Sequence, residues 1–248
     1  LLSRRTLKPI VANMRAQTEF VQNASHELRT PLAVIQTTGE LLLDSPNSRI
    51  VDRFEDVNAI TSETKRLARL VDNLMELSLG DAGRSSLDAS AVNLDALVRE
   101  ACAAYEDFAT LQDKRLEVET GSRETIEADA DKLRQLLGIV LDNALKYTAP
   151  GDEITVRTRA SGPKQCVVEV ADTGCGIDPE DRAHVFERFY RADKARSRET
   201  GGYGLGLSLA QHIVEAHGGS IALEPNEPRG TVVVVTLPAN ASKRVDSL

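Results

Sequence analysis

The strongest constraint in the chain is a helical hydrophobic period that persists through its first third and then stops. From Thr6 to Leu43 the apolar residues Leu7, Ile10, Val11, Met14, Val21, Leu28, Leu32 and Ile35 recur at threes, fours and sevens. That spacing lines one face of an α-helix. Asp44-Ser45-Pro46-Asn47-Ser48 is a turn cluster. Beyond it Phe54, Val57, Ile60, Thr64, Leu67, Val71, Leu74 and Leu77 carry the period onward. Two long helices joined by a turn predict an antiparallel hairpin. A lone hairpin cannot bury both apolar stripes, so a symmetric homodimer closing a four-helix bundle is expected.

Gly80 to Ser86 is rich in small and polar residues and reads as a linker. After it the pattern is mixed. Helices are expected near 94–111, 131–147 and 205–217, and strands near 115–120, 126–128, 154–160, 166–171, 220–223 and 231–237. Strands and helices without a regular alternation predict an α+β sandwich. The expected organisation is a hairpin over 1–80, a linker over 81–90, a second domain over 91–240 and a tail over 241–248. With 41% hydrophobic and 27% charged residues the chain is rich enough in both to pack. Aromatics reach only 4%, so the core must be aliphatic.

A net charge of −8 argues against nucleic acid as a partner. Cys102, Cys166 and Cys175 stand apart, with no CxxC pair, and are expected to be free thiols in a reducing compartment. No apolar run approaches the ~18 residues that span a bilayer. The basic stretch Arg4, Arg5, Lys8 and Arg15, against the single acid Glu19, predicts a segment beside a membrane on its cytoplasmic side.

The first helix carries Phe20-Val21-Gln22-Asn23-Ala24-Ser25-His26-Glu27-Leu28-Arg29-Thr30-Pro31-Leu32, an odd run for a plain bundle. An interior proline costs ~3 kcal/mol, so Pro31 predicts a kink with the helix opened near His26. A Glu27 carboxylate beside the imidazole would leave the other ring nitrogen nucleophilic. Thr30 lies one turn beyond His26 on the same face. It is not a metalloprotease helix, because Thr30 stands where a second His is needed. His26 to Leu32 resembles the phosphoacceptor box of the sensor histidine kinases of bacterial two-component systems.

The resemblance extends over nearly the whole chain, because further motifs follow in the family's order. Asp142-Asn143-Ala144-Leu145-Lys146-Tyr147 ends a helix and resembles the family's asparagine box. Asn143 offers an amide oxygen to Mg²⁺, and Lys146 offers a point charge to phosphate. Asp172-Thr173-Gly174-Cys175-Gly176-Ile177 follows an apolar strand, and its glycines let backbone approach a ligand. The resemblance implies that Asp172 accepts from the adenine amino group, with Gly174, Gly176, Ile177, Tyr147 and Thr231 as further nucleotide-binding residues. Phe186-Glu187-Arg188-Phe189-Tyr190-Arg191 resembles the aromatic box before a nucleotide lid, here 192–200. Arg191 is placed to stabilise charge on a transferring phosphoryl group. Gly201-Gly202-Tyr203-Gly204-Leu205-Gly206-Leu207 opens a helix whose amides and dipole attract phosphate, so Gly202, Gly204, Leu205, Gly206 and Leu207 are candidate nucleotide contacts. It is neither a Rossmann fingerprint nor a Walker loop. Gly230-Thr231 resembles the last glycine box.

The resemblance implies a Bergerat-type ATP-binding domain behind the dimeric bundle, with ATP and Mg²⁺ as cofactors. It implies ATP-dependent phosphorylation of His26, with Glu27 as base, and transfer to a response-regulator receiver aspartate. Dephosphorylation of the regulator, with Thr30 placing water, is implied as well. The chain would be the cytoplasmic portion of a membrane protein, anchored by a segment outside this sequence. Two departures stand out: Ile139 occupies the position where the family usually carries another Asn and cannot ligate Mg²⁺, and Tyr203 replaces a smaller residue. A gyrase- or chaperone-type ATPase would share the nucleotide motifs but lack the His26 hairpin. A degenerate kinase, acting as a nucleotide-binding dimeric scaffold, would keep both and differ only in chemistry at His26.

Overall fold

A single helix, α1 (Leu2–Leu43), takes up the first periodic run. A short connection and a 3-10 turn at Ile50–Arg53 lead into α2 (Phe54–Asp81). The Arg53 guanidinium hydrogen-bonds the Ser45 hydroxyl across that connection. This computed structural model describes residues 2–45, 47–81, 86–162, 164–192 and 202–239, with side chains at 14 and from 17 onward. Pro46 of the expected turn, 82–85 of the linker, 193–200 of the lid, Gly201 and the 241–248 tail lie outside the described residues.

Two expectations for these helices are corrected. The helix passes Pro31 without a break, so the opening near His26 does not occur. One proline removes one hydrogen bond, to the Glu27 carbonyl, and the flanking turns keep theirs. Its ring is also buried, which offsets part of the cost. At the other end α2 continues through Gly80 and Asp81, where the composition predicts linker. Both hydrogen bonds of the Arg188 guanidinium to Asp81, at 2.6 and 2.7 Å, hold that last turn.

The chain divides into two compact units, Leu1–Ser78 and Leu79–Leu248. In the second, β1 (Ser90–Asn93) precedes α3 (Leu94–Leu111), whose N-terminus is capped by Asn93 accepting from the Ala96 amide at 2.9 Å. There follow β2 (Arg115–Gly121), β3 (Thr125–Ala128) and α4 (Ala130–Tyr147). Asp129 caps α4 by accepting from Asp131 and Lys132. The chain continues with β4 (Glu153–Ala160), β5 (Gln165–Asp172), a short α5 (Pro179–Arg182), α6 (Gly206–Ala216), β6 (Ser220–Pro225) and β7 (Thr231–Pro238).

The strands form a five-stranded sheet in the order β2-β4-β5-β7-β6, with β2 and β4 parallel and the other pairs antiparallel. A separate pair, β1 with β3, stands beside it. The sequence pattern does not predict β1 and α5, of four residues each. Leu94 and Leu97 of α3, Leu133, Leu137 and Val140 of α4, and Val168, Val170, Val235 and Leu237 of the sheet meet in an aliphatic core. The opposite face of the sheet carries paired charges, Arg157 with Glu119 and Arg159 with Glu169. One face packed and one wet explains the alternation along β4 and β5. This is the expected α+β sandwich, and among the described residues no helix is long and apolar enough to cross a membrane.

Candidate nucleotide site and the phosphoacceptor helix

Strand period delivers the central carboxylate. Cys166, Val168, Val170 and Asp172 share one face of β5, so Asp172 ends the strand on the core side and is only 7% exposed. Its Oδ1 accepts the amides of Gly174 at 2.9 Å and Thr231 at 3.3 Å. Burial pushes the carboxyl pKa up against those two bonds, and the charge of Asp152 adds to the rise. Oδ2 has no donor among the described residues, so it is the oxygen left for a ligand.

The loop after Asp172 is fastened to the end of α4. Cys175 donates its amide to the Tyr147 carbonyl at 3.2 Å, and Gly174 passes so close to that carbonyl that any side chain would strike it. Gly176 turns over Gly230, and the Ile177 carbonyl accepts from Arg182 Nε at 3.1 Å. On α4 itself Asn143 is half-buried, one turn before Lys146 and Tyr147. Lys146 Nζ lies 5.1 Å from the Tyr147 ring centre. It also reaches Gly202, where an added Cβ would come within 2.6 Å of it. The asparagine box and the glycine box therefore meet at Lys146.

Gly204 has φ +70°, and its carbonyl accepts the Phe189 amide at 2.8 Å, so the aromatic box is stitched to the glycine box. Tyr190 donates to Asp181 at 2.5 Å. Leu205 is buried, Gly206 begins α6 and Leu207 is half-buried in its first turn. The first amides of α6 have no carbonyl within the helix to accept them, which is the ordinary condition of a helix start. Among the described residues, Arg191 Nε and Nη2 are buried with no acceptor. Guanidinium N–H groups held out of water without a partner are costly unless an anion completes them.

Ile139 packs its Cγ2 where a Cβ on Gly206 would come within 3.2 Å. It offers apolar surface and no ligand atom, so Asn143 is the amide oxygen at this position of α4. Asp142 beside it is hydrogen-bonded to Tyr105, whose phenol is pushed up to about 12 by burial and by that carboxylate. A hard cation that keeps several waters and takes phosphate oxygens needs few protein ligands, and Asn143 fits that donor set.

His26, Glu27 and Thr30 stand on α1 in the other unit, with His26 and Thr30 exposed and Glu27 half-buried. No hydrogen bond or ion pair joins His26 to Glu27 among the described residues. Successive helix positions point about 100° apart, so adjacent side chains do not face each other. Thr30, one turn on, shares the face of His26. Cys102 and Cys166 are buried and Cys175 exposed, all three as free thiols. Sequence reasoning missed Asn226, whose Nδ2 donates to the Asp172 carbonyl at 2.8 Å. Its only signal is a Pro-Asn-Glu-Pro turn composition.

Residues 16–83 match the His Kinase A (phospho-acceptor) domain, and residues 128–241 match the histidine kinase-, DNA gyrase B- and HSP90-like ATPase domain. The Sensor protein CiaH of Streptococcus pneumoniae serotype 4 is 37% identical over 236 residues, covering 95% of this chain and 52% of that protein. The chain spans about half the length of the curated relatives it matches. The histidine kinase AdeS of Acinetobacter baumannii has the same fold, with a TM-score of 0.70 at 23% identity over 87% of this chain and 98% of that one. So does the histidine kinase ThkA solved in complex with the response regulator protein TrrA, with a TM-score of 0.65 at 24% identity over 97% of this chain and 65% of that one. The chain belongs to the sensor histidine kinases of two-component systems, with an ATP-binding domain as its second part.

Proposed function

We propose that the chain transfers the γ-phosphoryl group of ATP to His26 and then to an aspartate of a response-regulator receiver. The observation that carries this reading is the Oδ2 of buried Asp172, which has no donor among the described residues, in the same unit as Lys146, the start of α6 and the two Arg191 nitrogens that have no acceptor among those residues. Asp172 Oδ2 accepts from the adenine amino group. Lys146 and the α6 amides hold the phosphates, and Arg191 takes the charge that develops on the transferring group. Asn143 would hold Mg²⁺, which supplies charge neutralisation on the phosphates.

An imidazole nitrogen of His26 bonds to the γ-phosphorus as the bond to the ADP oxygen breaks, and the imidazole proton passes to Glu27. Glu27 reaches that proton by a change of rotamer, since the two side chains are not bonded at rest. Thr30, one turn on, positions the water that releases phosphate from the regulator. Exposed Leu32, Leu41, Leu43, Phe54 and Met75 support a homodimer through the two helices, because apolar area of that extent is rarely left to water. The basic stretch near Arg4 and Arg5 supports a membrane-anchored protein with this portion in the cytoplasm.

Incubation with radiolabelled ATP and Mg²⁺ tests the reading, beside His26→Gln and Asn143→Ala. Acid-labile, base-stable label on the wild type and on neither variant is expected. ATP binding without label would instead leave a nucleotide-binding scaffold.

A further inference from the structure

The loop between β6 and β7 lies directly against Asp172. Asn226 spans it: its Oδ1 accepts the Glu227 amide at 3.0 Å and its Nδ2 donates to the Asp172 carbonyl at 2.8 Å. These partners fix the orientation of the amide, since a flipped Asn226 would set oxygen against oxygen. The backbone N–H of Asn226 donates in turn to the Gly230 carbonyl at 3.1 Å, closing the loop on itself. Gly230, at φ +113°, lies so near Asp172 that a Cβ would overlap the Asp172 carbonyl. That approach lets the next residue, Thr231, give its amide to Asp172 Oδ1. One residue further back, Arg229 pairs with Asp152. Carbonyl and side chain of Asp172 are thus both held by a single loop, 54 and 59 residues away along the chain.

We propose that Asn226 is a positioning residue for base recognition: by holding the Asp172 main chain it aims the free Oδ2 at the exocyclic amino group of the purine. The proposal rests on the reading of Asp172 as the acceptor for that amino group. Both polar atoms of the Asn226 side chain are taken up by the backbone of Asp172 and Glu227, so its effect is expected to reach a ligand through Asp172. A ligand without the amino group does not sense it.

Calorimetric titration of the whole chain with ATP and with purine riboside triphosphate, which lacks the 6-amino group, separates the outcomes. The variants are Asn226→Asp, which sets an oxygen against the Asp172 carbonyl, and Asn226→Ala, which only removes the donor. Both are expected to raise the Kd for ATP about five-fold, the worth of one hydrogen bond, and to leave the Kd for the analogue where it was. Equal weakening of both ligands, or no change for either, overturns the proposal and leaves Asp172 as acceptor untouched. A wild type that binds both ligands equally overturns the acceptor reading itself, and this inference with it.

Discussion

Asp172→Asn replaces one atom and should reverse the polarity of the base site. Oδ1 of Asp172 already accepts two amides, from Gly174 and Thr231, so the new amide must keep its oxygen there. The alternative rotamer would set an NH₂ against two N–H donors. The NH₂ group therefore occupies the Oδ2 position and faces the adenine amino group, donor against donor. A charge-assisted bond is worth about 1.5–3 kcal/mol, and its loss raises the Kd for ATP roughly 10- to 150-fold. Inosine triphosphate carries an acceptor oxygen in place of the amino group, so its affinity should fall less and the ratio of the two should move towards it.

The fold should not suffer. Burial holds the Asp172 pKa above its ordinary value, so between the two values the folded chain keeps a proton that the unfolded chain has lost. Wild-type stability therefore falls as pH rises through that window, from the ordinary carboxylate range upward. The amide has no such term. Its melting temperature at neutral pH should match or exceed that of the wild type, and its stability should be flatter with pH there. Competition titrations and thermal melts on the same samples check both halves. An Asp172→Asn variant with the wild-type ratio of ATP to inosine triphosphate affinity, or one that melts well below the wild type at neutral pH, refutes the argument.

Asp95 should behave with the opposite sign. Burial opposes its ionisation, but hydrogen bonds from Ser122, Thr158 and Arg123 outweigh it and hold the carboxyl below its ordinary range. Stability from this group is present above the ordinary value and lost as pH falls through the lowered one, so Asp95→Asn should flatten acid unfolding followed by circular dichroism. Gly202→Ala would set a methyl against the flexible end of Lys146; nucleotide affinity should drop several-fold in a fluorescent-ATP displacement assay while the melting temperature holds. Gly204→Ala meets the Tyr190 carbonyl at 2.6 Å with φ at +70°, where nothing flexible can yield. It should cost about 2 kcal/mol or more, and lower the melting temperature by roughly 4–8 °C in calorimetry. Leu209→Ala removes a fully buried side chain of α6 and should cost about 2–5 kcal/mol in urea unfolding.

Those features of the molecule that sequence could foretell are the ones carried by neighbours along the chain. The period of Leu28, Leu32 and Ile35 declares α1, and the alternation of Cys166, Val168 and Val170 places Asp172 at a strand end, because each depends on residues two to four positions away. Local cost misleads at Pro31 and at Gly80. A single proline or glycine carries a fixed penalty, but the other bonds of a 42-residue α1 and a 28-residue α2 stay intact and outweigh it. β1 needs knowledge of its partner β3, more than thirty residues on.

The same division explains the candidate site. Each glycine box is visible as a string, yet the reason for its glycines lies in what comes near them: the Tyr147 carbonyl at Gly174, Lys146 at Gly202, the Asp172 carbonyl at Gly230. None of those approaches follows from spacing, because the elements concerned meet only after the sheet is assembled. Asn226 is the sharpest instance. Its residue type says turn, and its turn is real, but the hydrogen bond that gives it a role runs to a backbone carbonyl. A backbone acceptor exists at every position, so no choice of residue type at 172 could have announced the partner. A side chain that acts on main chain leaves its mark at one end of the bond only, and that end is where a search for further positioning residues in this fold should begin.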